Sequence, residues 1–156
     1  MTPAETKPIN LQHGVADALR PAAAVDVSVV APAYNEEGNL KPLHDRLVAA
    51  LEPLGRTFEV VYVDDGSYDG TFEELAAIAL ADPRARVVQL RRNFGQTAAI
   101  AAGVDHAGGR AVVFIDADLQ NDPADIPRLL ELIDDGYDVV SGWRKDRQDP
   151  GLSRTL

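Results

Sequence analysis

Residues 111–120 read AVVFIDADLQ, an apolar run that ends in two carboxylates one residue apart and then an amide. A short apolar run bounded by polar residues is typical of a buried strand in a parallel sheet. The carboxyl ends of such strands border the ligand crevice of an open α/β sheet. Asp116 and Asp118 repel each other there and lose water, so a bound divalent cation would explain their pairing. A strand-to-turn junction, where Asp is common, is the alternative.

Outward from this stretch, strand and helix patterns alternate along the chain. Apolar runs predict strands at residues 25–30, 58–63, 86–90, 111–115 and 138–141. Helical patterns lie between them, and Pro32 is expected to stop the first strand. Thr71, followed three residues later by Glu74, predicts a capping box at the start of the second helix. The alternation predicts an α/β fold with a three-layer, doubly wound, mostly parallel sheet and right-handed crossovers.

Composition indicates one acidic globular domain. The chain has 156 residues, 46% of them hydrophobic, with 15 Lys and Arg against 25 Asp and Glu and a net charge of -10. This balance argues against nucleic acid as a partner, because phosphate binding requires a basic face. The lack of Cys excludes disulfides and thiolate metal sites. No apolar run approaches the roughly 18 residues that would span a bilayer, and no signal peptide is evident. Residues 1–24 are expected to form a mobile leader, 25–144 the domain, and 145–156 the start of an incomplete loop.

Charged residues follow the ends of several predicted strands. In a parallel sheet these ends share one edge, so the residues are expected to converge there. They are Glu36, Asp65, Asp116, Asp118 and Arg144. Acidic groups without His or Cys suit a hard cation, Mg²⁺ or Mn²⁺, and such a cation with open coordination positions suits a diphosphate.

Two residues near this edge leave alternatives open. Asp65 is placed to accept hydrogen bonds from a base or ribose, or else belongs to a turn in which an Asp caps the backbone. Tyr34 offers a ring face for stacking, or else is a half-buried packing aromatic.

Other nucleotide-binding classes lack their motifs here. A glycine-rich dinucleotide fingerprint does not follow the first predicted strand, and no P-loop lysine motif is present. A phosphoacceptor receiver requires a lone Asp after the third strand, where this chain has Arg91, Arg92 and Asn93. A sugar nucleotidyltransferase would need a glycine-rich basic loop at residues 32–38, which are acidic instead.

The linked motifs resemble one known family. VSVVAPAYNEEGNL, VVYVDDGSYDGT, LRRNFGQTAAIAAG, VVFIDADLQNDP and YDVVSGWR occur in order between residues 27 and 144. They resemble the inverting family 2 glycosyltransferases with a GT-A fold. The likeness is strongest to the polyprenyl-phosphate branch, which includes dolichol-phosphate mannose synthase and bacterial undecaprenyl-phosphate sugar transferases.

The resemblance implies roles for individual residues. Asp116 and Asp118 would be catalytic and, with Gln120, would hold the metal. The donor nucleotide sugar would contact Pro32, Tyr34, Glu36, Val63, Asp65, Asp116, Ala117, Asp118 and Arg144. Arg91, Arg92 and Asn93 would approach the sugar or the acceptor phosphate, with a solvated strand end as the alternative for the two arginines.

The implied activity is transfer of a hexose-type sugar from a UDP- or GDP-linked donor to a polyprenyl phosphate, with inversion and divalent-metal assistance. The acceptor phosphate is already anionic, so it would need positioning and charge compensation rather than a general base. The family continues beyond residue 156, so the chain is expected to be truncated. Membrane association at the cytoplasmic face would then depend on a missing C-terminal region or a partner chain. A non-catalytic nucleotide-binding or partner subunit is the alternative, and homo-oligomerisation is left open.

Overall fold

The computed structural model describes residues 7–9 and 25–142. The strands are β1 (Lys7–Ile9), β2 (Val25–Ala33), β3 (Phe58–Asp64), β4 (Ala85–Gln89) and β5 (Gly109–Phe114). The helices are α1 (Leu40–Leu51), α2 (Thr71–Ala81), α3 (Gln96–His106) and α4 (Ile126–Asp134). Short 3₁₀ turns at Glu52–Leu54 and Pro123–Asp125 follow α1 and precede α4.

The sheet has the order β1-β4-β3-β2-β5, and the four strands from β2 to β5 are parallel. One face packs against α1, α2 and α4, and the other against α3. The leucine stripe of α1 is fully buried, as its spacing predicts: Leu40, Leu43, Leu47 and Leu51. The predicted α/β class with a mostly parallel sheet is confirmed.

β1 was not predicted, because residues 1–24 are expected to be a mobile leader. Lys7–Ile9 pairs antiparallel with β4, with Lys7 opposite Gln89 and Ile9 opposite Val87. A three-residue segment containing Pro8 carries almost no strand signal of its own. Its pairing depends on the outer edge of β4, which a local pattern does not reveal. The helix considered for residues 11–19 lies outside the described residues.

Pro32 does not stop β2, which continues to Ala33. The carbonyl of Val30 accepts a hydrogen bond from Ile115 N, whereas that of Ala33 accepts one from Asp65 N. Successive residues of a strand direct their backbone N–H and C=O groups to opposite neighbouring strands. Pro32, two residues after Val30, therefore directs its nitrogen towards β5, and β5 has already ended at Phe114. The missing N–H therefore interrupts no ladder, and the prediction of a strand end at Pro32 was wrong.

The predicted strand at residues 138–141 is also absent. These residues have no strand conformation, and the side chain of Val139 is 85% exposed. A strand requires a neighbour that supplies backbone partners. Among the described residues none pairs with 138–141, and β5 forms that edge of the sheet.

A buried polar network closes the end of the sheet opposite the carboxyl ends of the strands. Glu59 Oε1 accepts hydrogen bonds from Ser28 Oγ (2.7 Å) and Gly108 N (2.7 Å), and its Oε2 accepts one from Arg86 Nη1 (2.9 Å). Ser28 Oγ in turn accepts from Gly109 N at 2.8 Å. Three strands and the α3–β5 turn therefore share one carboxylate.

Candidate functional site

A cleft of about 380 Å³ opens at the carboxyl ends of the parallel strands. It brings together most of the residues expected at this edge: Pro32, Tyr34, Glu36, Asp65, Asp116, Ala117 and Asp118. These residues come from the end of β2 and from the turns after β2, β3 and β5, so the convergence inferred from strand topology is observed.

The remaining candidates are placed differently. Val63 is fully buried in the α3 side of the sheet and does not line the cleft. Gln120 is exposed just beyond Asp118 and is not among the lining residues. Arg144 lies outside the described residues. The binding roles expected for these three residues stay predictions.

The carboxylate of Asp116 is held between two side-chain amides. Gln96 Nε2 donates to Asp116 Oδ1 at 3.0 Å, and Asn121 Nδ2 donates to Asp116 Oδ2 at 3.4 Å. A carboxylate oxygen has two lone-pair directions, so each oxygen retains one acceptor position beyond its amide. The orientation of Asp116 is therefore fixed while acceptor capacity remains on both oxygens.

Asp118 is oriented by a tight turn of its own loop. Its Oδ1 accepts a hydrogen bond from Gln120 N at 3.0 Å. Leu119, between them, has a φ of 63°, a left-handed conformation that costs a non-glycine residue about 1–3 kcal/mol. Contacts elsewhere in the fold must offset this conformational strain for the turn to persist.

The donor chemistry of this loop fits a hard cation. Asp116 and Asp118 offer carboxylate oxygens, and Gln120 offers an amide oxygen, the ligand types that Mg²⁺ and Mn²⁺ prefer. Across the described part of the chain, no group of three or more His, Cys, Asp or Glu is arranged to hold a metal. A cation here would therefore rely on two carboxylates and complete its coordination with the amide, waters or a ligand's phosphates.

The two adjacent acidic residues at the end of β3, Asp64 and Asp65, have different hydrogen-bond partners and different roles. Asp64 is fully buried and accepts hydrogen bonds from Ser67 N (3.0 Å) and Gln89 Nε2 (3.3 Å), so it is the Asp that caps the turn. Asp65 lines the cleft, and its two oxygens accept hydrogen bonds from Phe94 N (2.8 Å) and Gly95 N (2.9 Å). Asp65 thus holds the β4–α3 loop in place, a role that the sequence did not reveal.

Tyr34 lines the cleft and meets Tyr68 edge to face. Their ring centroids lie 5.6 Å apart at an interplanar angle of 83°, and their hydroxyls share a hydrogen bond. This hydrogen bond raises the pKa of the Tyr34 hydroxyl further above its usual value, which already keeps a phenol neutral at physiological pH. Tyr34 therefore presents a neutral aromatic surface at the mouth of the cleft.

Glu36 belongs to a turn that is fastened by the start of α2. Its backbone N–H donates to Thr71 Oγ1 at 2.8 Å. Glu74 Oε2 accepts from Gly38 N (2.6 Å) and Oε1 from Lys41 N (2.7 Å). The predicted capping box within α2 was therefore wrong, because α2 has Gly70 at its N-cap and Glu74 instead caps the first turn of α1.

The β4–α3 loop and the first residue of α3 line the cleft at positions that the sequence did not reveal or only partly indicated. Asn93, predicted to approach the sugar or acceptor phosphate, lines the cleft, as do Gly95 and Gln96, which were not singled out. Arg91 and Arg92 are exposed, and the Arg92 guanidinium lies 4.4 Å from the centroid of the Phe94 ring. Their predicted contact with a sugar or phosphate stays a prediction. No local pattern identifies Gln96, because its hydrogen bond to Asp116 joins positions that are 20 residues apart in the chain.

No helix in the described ranges, 7–9 and 25–142, has the length and apolar content needed to cross a membrane.

Two solved glycosyltransferase structures superpose on this fold. Staphylococcus aureus TarS 1-349 in complex with UDP-GlcNAc has a TM-score of 0.61 and 28% identity, covering 71% of this chain and 32% of that one. The mannosyltransferase PcManGT from Pyrobaculum calidifontis, in complex with GDP-Man and Mn²⁺, has a TM-score of 0.60 and 26% identity, covering 83% of this chain and 35% of that one.

Curated relatives are closer in sequence. Undecaprenyl-phosphate 4-deoxy-4-formamido-L-arabinose transferase from Pseudomonas aeruginosa is 53% identical over 129 residues, covering 82% of this chain and 38% of the relative. The enzyme of the same name from Edwardsiella ictaluri is 50% identical over 130 residues, covering 82% and 40%. The chain thus spans about two-fifths of the length of these relatives. The model of glycosyl transferase family 2 matches residues 28–156. With the fold, the acidic cleft and this match in agreement, the chain belongs to glycosyl transferase family 2.

Proposed function

We propose that residues 25–144 form the nucleotide-sugar-binding domain of an inverting glycosyltransferase that uses a UDP- or GDP-linked donor and a polyprenyl-phosphate acceptor. The observation that carries this proposal is the convergence of Tyr34, Asp65, Asp116 and Asp118 in one cleft. The solved relatives with UDP-GlcNAc and GDP-Man support a nucleotide-sugar donor. The names of the curated relatives support a polyprenyl-phosphate acceptor.

Each part of the cleft suits one part of such a donor. Tyr34 offers a ring edge or face to the nucleobase, and Asp65 offers acceptor oxygens to the base or ribose. Asp116 and Asp118, with Gln120, would hold Mg²⁺ or Mn²⁺ beside the diphosphate. When bound, the cation would supply charge compensation for the departing diphosphate.

The acceptor side is simpler in chemical terms. A phosphate monoester of a lipid is already anionic near neutral pH, so the protein must orient it and offset its charge rather than remove a proton. Arg91 and Arg92, predicted to approach the sugar or the acceptor phosphate, would contribute to this charge compensation, whereas Arg144 would face the phosphates of the donor. A lipid acceptor also implies that the protein acts at a membrane surface, with the nucleotide sugar supplied from the cytoplasm.

Nucleotide binding tests the proposal directly. UDP and GDP are titrated calorimetrically into the whole chain with and without Mn²⁺, and one nucleotide is expected to bind more tightly with the metal. Asp118→Ala is expected to reduce this metal-dependent gain at least about tenfold, since outer partners of metal ligands alone contribute that much. Asp105→Asn, on the exposed far end of α3, is the matched control and is expected to leave it unchanged.

The alternative of a non-catalytic binding subunit is separated by a second assay. Sugar transfer from UDP-linked and GDP-linked donors to undecaprenyl phosphate is measured with the whole chain. Metal-dependent binding without transfer would favour the binding subunit. If neither nucleotide binds, or if Asp118→Ala binds as tightly as the parent chain with Mn²⁺, the assignment of the cleft is wrong.

A further inference from the structure

The β4–α3 loop joins the two ends of the cleft. At one end, both oxygens of Asp65 are hydrogen-bonded to the loop backbone, at Phe94 N (2.8 Å) and Gly95 N (2.9 Å). Asp65 itself is only 3% exposed, so this attachment is shielded from water. Hydrogen bonds to a charged group are about twice as strong as neutral ones. The position of Gly95 is therefore set by Asp65.

A second contact fixes the same loop from the side. Gly66, with a φ of +69°, lies so close to it that an added Cβ would stand 2.6 Å from Asn93 N and still closer to the backbone of Arg92. The turn after β3 and the β4–α3 loop therefore pack backbone to backbone. Neither can shift without the other.

The loop leads directly into Gln96, the first residue of α3, and this helix is seated firmly. A Cβ at Gly103 would collide with Val30 Cγ1, so the helix lies as close to β2 as its backbone allows. Gln96 is thus fixed by the loop before it and the helix after it. From this position its side chain reaches across the cleft, and Nε2 donates to Asp116 Oδ1 at 3.0 Å.

We propose that Gln96 is a positioning residue, which holds the carboxylate of Asp116 in the orientation that takes up a divalent cation and a diphosphate. This inference rests on the proposed function of the cleft. Gln96 acts through Asp116, as an outer hydrogen-bond partner that orients a metal ligand. Because Asp65 holds the loop that precedes Gln96, the end of the cleft assigned to the base is mechanically tied to the end assigned to the cation.

Gln96→Leu tests this proposal, because it keeps the volume of the side chain and removes the amide donor. The readout is the ratio of the UDP or GDP dissociation constants without and with Mn²⁺. This ratio is expected to fall about tenfold, with the metal-free affinity within about twofold of the parent. Gln96→Asn, too short to span the cleft, is expected to lose the ratio in the same way. A second readout, Mn²⁺ paramagnetic resonance with nucleotide present, should show weaker cation uptake.

The controls separate this proposal from a structural role and from the proposed function. A purely structural role would lower the melting temperature and raise the dissociation constants with and without Mn²⁺ by the same factor. The ratio of the two constants would then be unchanged, and that result would overturn the proposal. The proposal would also be overturned if both Gln96 variants kept the ratio of dissociation constants that the parent chain shows. Asp105→Asn, on the same helix, should keep the parental ratio. If the parent chain itself shows no gain with Mn²⁺, the function proposed for the cleft fails before Gln96 is tested.

Discussion

Replacing Glu59 with leucine is expected to lower the free energy of unfolding by about 2–5 kcal/mol, because the Ser28, Gly108 and Arg86 donors lose the carboxylate that they share. Glu59 is 7% exposed, and its carboxylate accepts hydrogen bonds from Ser28, Gly108 and Arg86. Leucine would leave these donors without their acceptor, at about 1–3 kcal/mol for a buried donor such as Ser28 Oγ and less for Arg86, whose side chain is 36% exposed. The free energy of unfolding of a domain of this size is about 5–15 kcal/mol, so the variant would be only marginally stable.

The same network predicts how this stabilisation depends on pH. Burial, the largest single influence, raises the pKa of Glu59, but the hydrogen bonds from Gly108, Ser28 and Arg86 together outweigh it and lower the pKa below the usual 4.5. A lowered folded-state pKa means that the ionised network stabilises the protein fully above the usual value. The contribution is lost as the pH falls through the folded-state pKa. The difference between Glu59 and its leucine variant should therefore shrink in acid.

Urea unfolding at neutral and acidic pH measures both effects. Glu59→Gln is the matched control, because it keeps the shape and one acceptor oxygen, and it should lose less, about 1–3 kcal/mol. Glu59 lies at the end of the sheet away from the cleft, so nucleotide binding by the folded fraction should remain. A Glu59→Leu chain with parental stability at neutral pH would refute the importance of this network.

Gly66→Ala is expected to destabilise the fold by about 2–5 kcal/mol and to weaken nucleotide binding at the same time. About 1–2 kcal/mol comes from the left-handed backbone, at a φ of +69°. About 1–3 kcal/mol more comes from overpacking, because the new Cβ would stand 2.6 Å from Asn93 N in a contact between backbones that cannot yield. Displacing this loop would also disturb Asp65 and Gln96, which is why binding should suffer.

Gly38→Ala separates the two contributions. Gly38 also has a positive φ, +88°, but an added Cβ would meet nothing within 4 Å. It should lose only the conformational part, about 1–2 kcal/mol. Thermal and urea unfolding compare the two alanine variants, and calorimetry follows nucleotide binding. Equal losses in the two variants would show that the close approach of Gly66 to the loop contributes nothing.

Features that depend on local pattern and on general topology rules were predictable. The burial of Leu40 and Leu43 follows from helical spacing alone. The meeting of Asp65 with Asp116 follows because parallel strands end at one edge. For both, no detailed knowledge of long-range contacts was needed, and the structure agrees.

Features decided by distant partners were not predictable. Thr71 and Glu74 have the spacing of a capping box, yet both are engaged by backbone N–H groups 35 and 36 residues away, at Glu36 and Gly38. Gln96 carries no local signal of its hydrogen bond to Asp116. That bond depends on the position of the β4–α3 loop, which is set by the close backbone contact of Gly66 with Asn93. Local sequence specifies what a residue prefers, and the long-range fold decides which partner it finds.

The position of β5 beside β2 has a consequence for how the protein folds. Gly109 N donates to Ser28 Oγ across 81 residues of chain, so this pairing closes a large loop. Closing large loops is slow, and proteins dominated by such contacts fold slowly. The docking of β5 is expected to be a late step, and it delivers Asp116 and Asp118 to the cleft. During synthesis, the acidic half of the cleft would then be completed last, and a nucleotide that bridges both halves would favour the finished sheet by mass action.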